Sequence, residues 1–223
     1  MRNGHKVMNG QRSRNFIYGI VERQRLNAIF KELFRKSIHI CSSFIPLLLK
    51  FAYWPVIGLL VLALAVYTVS EILRSKNIEI PLISKVTEIA ARKRDENRFV
   101  LGPVTLVCGI LLAALLLPLD CARVGIFALS FGDGLASLMG KLIGKITIPG
   151  AHGKTAAGSL TCFAAVFVTT FCCCGNCFVA LCIGLAAMFI EILPLSDFDN
   201  LIIPPVIGFL YLQFIAQAQP SLA

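Results

Sequence analysis

Seven apolar runs partition this chain, at about residues 38–54, 56–73, 99–117, 120–140, 158–174, 176–194 and 199–217. In hydrocarbon the backbone must satisfy its own hydrogen bonds, and separate apolar runs near span length do so as helices. The expected fold is therefore all-α: a polytopic membrane helix bundle of about seven transmembrane helices. A chain that is 57% hydrophobic and 15% charged has too little polar surface for a water-soluble domain of this size. Several runs are near the lower length limit, so kinks and tilt are expected. Pro46, Pro103 and the Pro204-Pro205 pair are tolerated in membrane bundles.

The sequence divides into a basic segment over 1–30, a membrane-embedded unit over 31–217 and a short tail over 218–223. The first 30 residues lack the continuous apolar core of a cleavable signal peptide. A net charge of +9 raises the question of nucleic acid, but the basic residues lie between the apolar runs and so speak to topology. Residues 1–36 hold nine Lys and Arg, 74–98 hold seven and 141–154 hold three; the alternate side has only Lys50 and Arg123. The N-terminus and the loops at 74–98, 141–157 and 194–200 are thus expected in the cytoplasm, with a bacterial plasma membrane as the default setting. The cluster Ala91-Arg-Lys-Arg-Asp-Glu-Asn-Arg98 beside the membrane suits anionic lipid headgroups. Nine cysteines include one CxxC, Cys174 to Cys177, which has neither a second pair nor a nearby His and reads as structural.

The stretch from Ser130 to Ser159 is harder to explain as an anchor. On a helix, Asp133, Ala136, Ser137, Gly140, Lys141 and Gly144 share one side, while Leu135, Leu138, Met139, Leu142 and Ile143 share the other. Small residues admit a close neighbour, and an acid inside a membrane span marks a functional site by default. Gly150-Ala-His-Gly-Lys-Thr155 follows, suggesting glycine amides and Lys154 on a phosphate. It is not a Walker A loop, since the position six before Lys154 is Ile148 and no strand precedes it. His39 and His152 form no zinc signature. Further along, Glu191, Asp199 and Asn200 supply hard oxygen ligands of the kind Mg²⁺ takes alongside nucleotide phosphates. Such an inventory fits phosphoryl transfer, which needs charge stabilisation and positioning more than covalent chemistry. A transporter with an intramembrane acid would share much of it. Before the first run, Glu32, Arg35, Lys36 and His39 fall within one another's helical reach, either as a charge-paired juxtamembrane turn or as a basic clamp at a site mouth.

These residues, in order, resemble the dolichol kinase and phytol kinase family, which includes CTP-dependent diacylglycerol kinases. The resemblance rests on Glu32-x-x-Arg35-Lys36-x-x-His39, on Glu71-x-x-Arg74, and on Gly132-Asp133-Gly134-x-Ala136 with Gly140, Gly144 and Lys145. It continues through Gly153-Lys154-Thr155-x-x-Gly158-Ser159, Glu191 and Asp199-Asn200 with Pro204. It implies transfer of phosphate from CTP to a membrane lipid alcohol, a polyprenol, phytol or diacylglycerol, giving the lipid monophosphate and CDP. Carried over by position, Lys141, Lys145, Lys154, Thr155 and Ser159, with Gly132, Gly134, Gly144, Gly153 and Gly158, would bind nucleotide. Asp133, Asp199 and Glu191 would be catalytic, Asp133, Asp199 and Asn200 would hold Mg²⁺, and Glu32, Arg35, Lys36, His39 and Arg74 would line the mouth. The groove beside Gly140 and Gly144 would admit the lipid chain. Two features depart from the family pattern: Ala157 stands where the family usually has Glu, and Phe198 splits the usual Asp-Asp-Asn. Some prokaryotic relatives resemble phosphatidate cytidylyltransferases, so CDP-diacylglycerol synthesis is the alternative reaction, and a non-catalytic transporter or scaffold the alternative class.

Overall fold

The computed structural model describes residues 23, 26, 29–76, 78, 99–151 and 153–218. Most of the basic N-terminal segment and of the basic loop at 74–98, as well as His152 and the extreme C-terminus, lie outside the described residues. Helical residues 29–41 form α1, and a 3-10 turn at Ser42–Phe44 leads into α2 at Ile45–Phe51. Then come α3 (Tyr53–Ser75), α4 (Gly102–Leu116), α5 (Leu119–Phe127), a π-helical segment at Ala128–Asp133 and α6 (Gly134–Ile143). The chain closes with α7 (Ala156–Cys174), α8 (Cys177–Ile192) and α9 (Asp199–Ala218). The protein is all-α; among the described residues the extended pairing is one isolated bridge, Thr147 to Thr155.

Four helical stretches are long and apolar enough to cross a membrane: Tyr53–Ser75, Leu119–Ile143, Ala156–Cys174 and Asp199–Gln217. The second joins α5, the π segment and α6. The runs expected near 99–117 and 176–194 form the shorter apolar helices Gly102–Leu116 and Cys177–Ile192. The first run is cut by Ala52, whose φ of −147° and ψ of 71° separate α2 from α3. Of the seven spans expected, four are helices of full spanning length among the described residues, and two more runs form shorter apolar helices.

Local chemistry explains several boundaries. Pro46 and Pro103 occupy first-turn positions, where a missing N–H is no loss. Thr155 caps α7, its Oγ1 accepting the Gly158 N–H at 3.2 Å. Gly175 then ends the helix in the left-handed conformation at φ 67°, and the Asn176 side chain accepts the Phe178 and Val179 N–H groups to start α8. This Gly-Asn turn accounts for the spacing of Cys174 and Cys177, and all nine cysteines are free thiols.

The core lies where α9 packs between α4 and α5 and against α8, while α7 packs on α6, the π segment and α8. Pro204 and Pro205 sit inside α9. Pro204 has no N–H to offer the Asn200 carbonyl one turn earlier, and that carbonyl lies against Gly109 of α4, so close that a Cβ there would collide with it. Gly125 of α5 meets the Pro204 carbonyl in the same way. With no hydrophobic force to drive helices together in lipid, such backbone-to-backbone approach is what association relies on.

Two substitutions separate these roles. Gly125→Val should lower the stability of the detergent-solubilised protein by about 1–3 kcal/mol, because neither backbone can yield. Gly58→Ala, in open space in the middle of α3, should instead be neutral or stabilising by about 0.4–1 kcal/mol. Thermal unfolding followed by circular dichroism compares the two; equal midpoints would refute the packing argument.

Candidate functional site

The π segment places Asp133. One extra residue in a helical turn reorients the following side chains, and such bulges recur at functional sites. Asp133 is 4% exposed at the C-terminal end of this segment. A bare carboxylate so deep would be costly, and α1 supplies the compensation. Lys36 Nζ pairs with Asp133 Oδ2, and His39 Nδ1 lies 3.3 Å from the same oxygen. One turn further along, the hydroxyls of Ser42 and Ser130 meet at 2.7 Å. Glu32, also on α1, pairs with Arg35 and accepts from Lys141 Nζ of α6 at 2.5 Å. Lys36 and Asp133 are therefore each other's counter-ion within the fold. Glu32, Arg35 and Asp133 all border one cavity, whereas Lys36 does not line it.

The glycine-rich loop between α6 and α7 is a tight, self-bonded turn. Gly150 and Gly153 take φ 79° and 84°, which suits glycine, and several neighbouring amides bond within the loop. Ile148 N–H donates to the Lys154 carbonyl, Lys154 N–H to Ala151, and Ala156 N–H to Ile146, at 2.9–3.1 Å. These bonds, from Ile148, Lys154 and Ala156 rather than from the glycines, fix the loop and so aim Lys154. That side chain crosses to α8, where Nζ bonds the Glu191 backbone carbonyl and lies 3.8 Å from both Glu191 Oε1 and Asp199 Oδ2. Ser159 Oγ donates to Glu191 Oε2 at 2.9 Å.

These parts enclose a cavity of about 250 Å³. From α1 it takes Glu32 and Arg35; from the π segment and α6, Asp133, Ala136, Ser137, Gly140 and Lys141. The lysine loop and the start of α7 contribute Gly153, Lys154, Thr155 and Gly158, and the α8–α9 junction contributes Glu191, Pro194, Ser196 and Asp199. Residues separated by more than 160 positions thus meet around one space, with acids and bases interleaved. Ser159 reaches it through its bond to Glu191.

Other residues singled out in the sequence lie elsewhere. Gly132 backs onto Val166 and Cys162, and Gly134 onto Ile40 and His39. Lys145 is exposed beyond the end of α6 and does not line the cavity. Arg74 forms a two-pronged pair with Glu71, at 2.9 and 2.5 Å, and Glu71 also accepts the Val100 N–H, so this motif ties α3 to the start of α4. Asn200 N–H bonds Asp199 Oδ1, while its amide points at the Gly102 carbonyl and Thr105 hydroxyl, each 3.4 Å away, which orients Asn200 toward α4. Gly144 does not border a lipid groove, which is a correction. A Cβ built there would lie 2.5 Å from Thr155 Oγ1, and one on Gly140 would lie 2.9 Å from it. Thr155, the cap of α7, occupies the space beside these two glycines, while Ala136, Ser137, Gly140 and Lys141 of the same face line the cavity.

Pro194 and Ser196 also line the cavity, though neither was among the site residues expected from the sequence. Ser196 is a non-glycine residue at φ 60°, a local strain at the cavity rim that no motif announces. Among the described residues no group of three or more His, Cys, Asp or Glu could by itself hold a metal ion. Glu191 and Asp199, sharing Lys154 at distances longer than a hydrogen bond, are suited to a cation that also draws ligands from a phosphate. No family model matches the chain, and no curated protein or solved structure matches it either.

The pairing of Lys36 with Asp133 makes each charge a condition of the other's burial. With side chains 3% and 5% exposed, removing either charge strands the other in a low-dielectric interior. Lys36→Met alone should cost about 3–5 kcal/mol, whereas Lys36→Met with Asp133→Leu should recover much of that loss. A double-mutant cycle on unfolding midpoints measures it, and additive effects would disprove the coupling.

Proposed function

We propose that this protein transfers the γ-phosphate of CTP to the hydroxyl of a membrane lipid alcohol, an isoprenoid alcohol or diacylglycerol. The observation that carries this reading is the convergence of Asp133, Glu191, Asp199, Lys141, Lys154 and Arg35 on one cavity at the end of apolar helices. Phosphoryl transfer asks for that arrangement: cations along the phosphates and carboxylates near the acceptor oxygen. The order of motifs along the chain resembles the dolichol kinase family and points to the same chemistry.

In this reading Lys154 leaves its position between Glu191 and Asp199 to take the transferred phosphate, with Lys141 and Arg35 on the remaining phosphate oxygens. Glu191 and Asp199 would hold Mg²⁺, which supplies charge neutralisation on the phosphates when bound. Asp133, Asp199 or Glu191 accepts the proton of the lipid hydroxyl. Glu191, which accepts from Ser159, would stand in for the carboxylate that Ala157 lacks. The distribution of Lys and Arg supports a cytoplasmic cleft and N-terminus in a seven-span bundle, with the basic loop at 74–98 on anionic headgroups.

The test uses purified protein in lipid micelles with Mg²⁺ and γ-labelled CTP, offering undecaprenol, phytol and diacylglycerol as acceptors and phosphatidate as control. Label should enter a lipid, with CDP as co-product. Lys154→Ala and Asp199→Asn should each slow turnover on the order of 10²–10³-fold, and chelation of Mg²⁺ should abolish it. Label released as pyrophosphate with phosphatidate alone would assign cytidylyl transfer instead. No turnover by folded protein with any acceptor would refute both reactions.

A further inference from the structure

The helical run over 29–51 is amphipathic in an inverted sense. Its inward face reads Glu32, Lys36, His39, Ser42 and Leu49, each at most 6% exposed. Four of these five are polar, and they meet the π segment and α6 through the bonds described above. The outward face carries Phe30, Leu33, Phe44, Leu47, Leu48 and Phe51, from 49% to 80% exposed, with the exposed Lys31 near one end, Ser37 between and Lys50 near the other end. The buried positions 32, 36, 39 and 42 recur at steps of four, three and three, and Leu49 follows seven residues on, so the inward face keeps its register through the 3-10 turn. A helix lying on a water-facing surface would carry the opposite pattern. The run covers about 34 Å at 1.5 Å per residue, close to the hydrocarbon thickness of about 30 Å.

We infer that this run is immersed in the bilayer with its charges turned inward, and that the seam between α1 and α6 is a side entrance through which a neutral lipid alcohol reaches the cavity. The seam is marked by the Glu32–Lys141 pair, which bridges the two helices at the cavity rim. Next in sequence to the paired residues, Leu33 on α1 and Leu142 on α6 are 49% and 58% exposed. Large apolar side chains beside an ion pair suit a boundary where headgroup and hydrocarbon meet. Glu32 of α1 and Gly140 and Lys141 of α6 line the same cavity as Lys154, so a tail entering between the two helices would arrive at that lysine. The immersion of α1 stands independently of the proposed reaction; the identity of the entering lipid rests on it.

Two measurements test this without nucleotide or turnover. In a Trp54→Phe background, Leu33→Trp and Phe30→Trp each place a reporter on the outer face of α1. In vesicles of brominated phosphatidylcholine their emission should be blue-shifted and fall by at least half, with little quenching by aqueous iodide. Two positions guard against one variant misfolding. Iodide quenching without bromine quenching at both would overturn the immersion, whether water or a soluble partner covers that face. For the entrance, wild-type protein is photolysed in vesicles doped with diazirine-bearing diacylglycerol or polyprenol. Adducts within 29–41 and 134–143 should exceed, several-fold, those from the same diazirine on phosphatidylcholine. Equal labelling by all three lipids would overturn the side entrance, even if phosphoryl transfer is observed.

Discussion

A charge in hydrocarbon must be paired, and this constraint organises one end of the protein. Lys36 answers Asp133, Glu32 answers both Arg35 and Lys141, and Lys154 lies between Glu191 and Asp199. Each pair joins elements far apart in sequence, except the local Glu32–Arg35 contact. Their electrostatic demand therefore does structural work as well: α1 is held to the π segment chiefly through polar contacts, since its apolar face looks outward. Such docking differs in kind from that of α9, which is seated by carbonyls resting on Gly109 and Gly125.

The two modes of packing divide the molecule. Around α9 the contacts are backbone on backbone and unforgiving of added volume, a rigid frame. Around the cavity the contacts are side-chain ion pairs, whose cations can exchange one carboxylate for a phosphate oxygen without moving a helix. Lys141 is 48% exposed and Lys154 19%, so both keep access to the cavity, whereas Lys36 at 3% is committed to Asp133. A rigid frame carrying mobile cations is a sound basis for binding a polyanion.

Much of the site was legible in sequence because its chemistry is conspicuous there. An acid within an apolar run, a lysine between glycines and a Glu-Pro-Asp junction between two spans are costly in a membrane unless used. The cavity gathers Asp133, Lys141, Lys154, Glu191 and Asp199 from just these places. Glycines were less readable. A small residue is equally consistent with an open groove and with a tightly packed neighbour, and for Gly140, Gly144 and Gly132 the neighbour was α7. Asn200 shows the same ambiguity, since a carboxamide next to a carboxylate can ligate a metal or, as here, bond another helix.

Composition and periodicity by themselves determined that this protein is an all-helical membrane bundle, because runs of apolar residues in hydrocarbon have no other way to satisfy their backbone. Residue order also marked the segments at 153–158 and 191–199, which the fold brings to one cavity. Only the tertiary structure decided the partners: that Lys36 serves Asp133, that Lys154 rests between Glu191 and Asp199, and that α1 turns its charged face inward. Pairing depends on distance across the bundle, and distance between residues about a hundred positions apart is set by how helices pack, which no local pattern encodes.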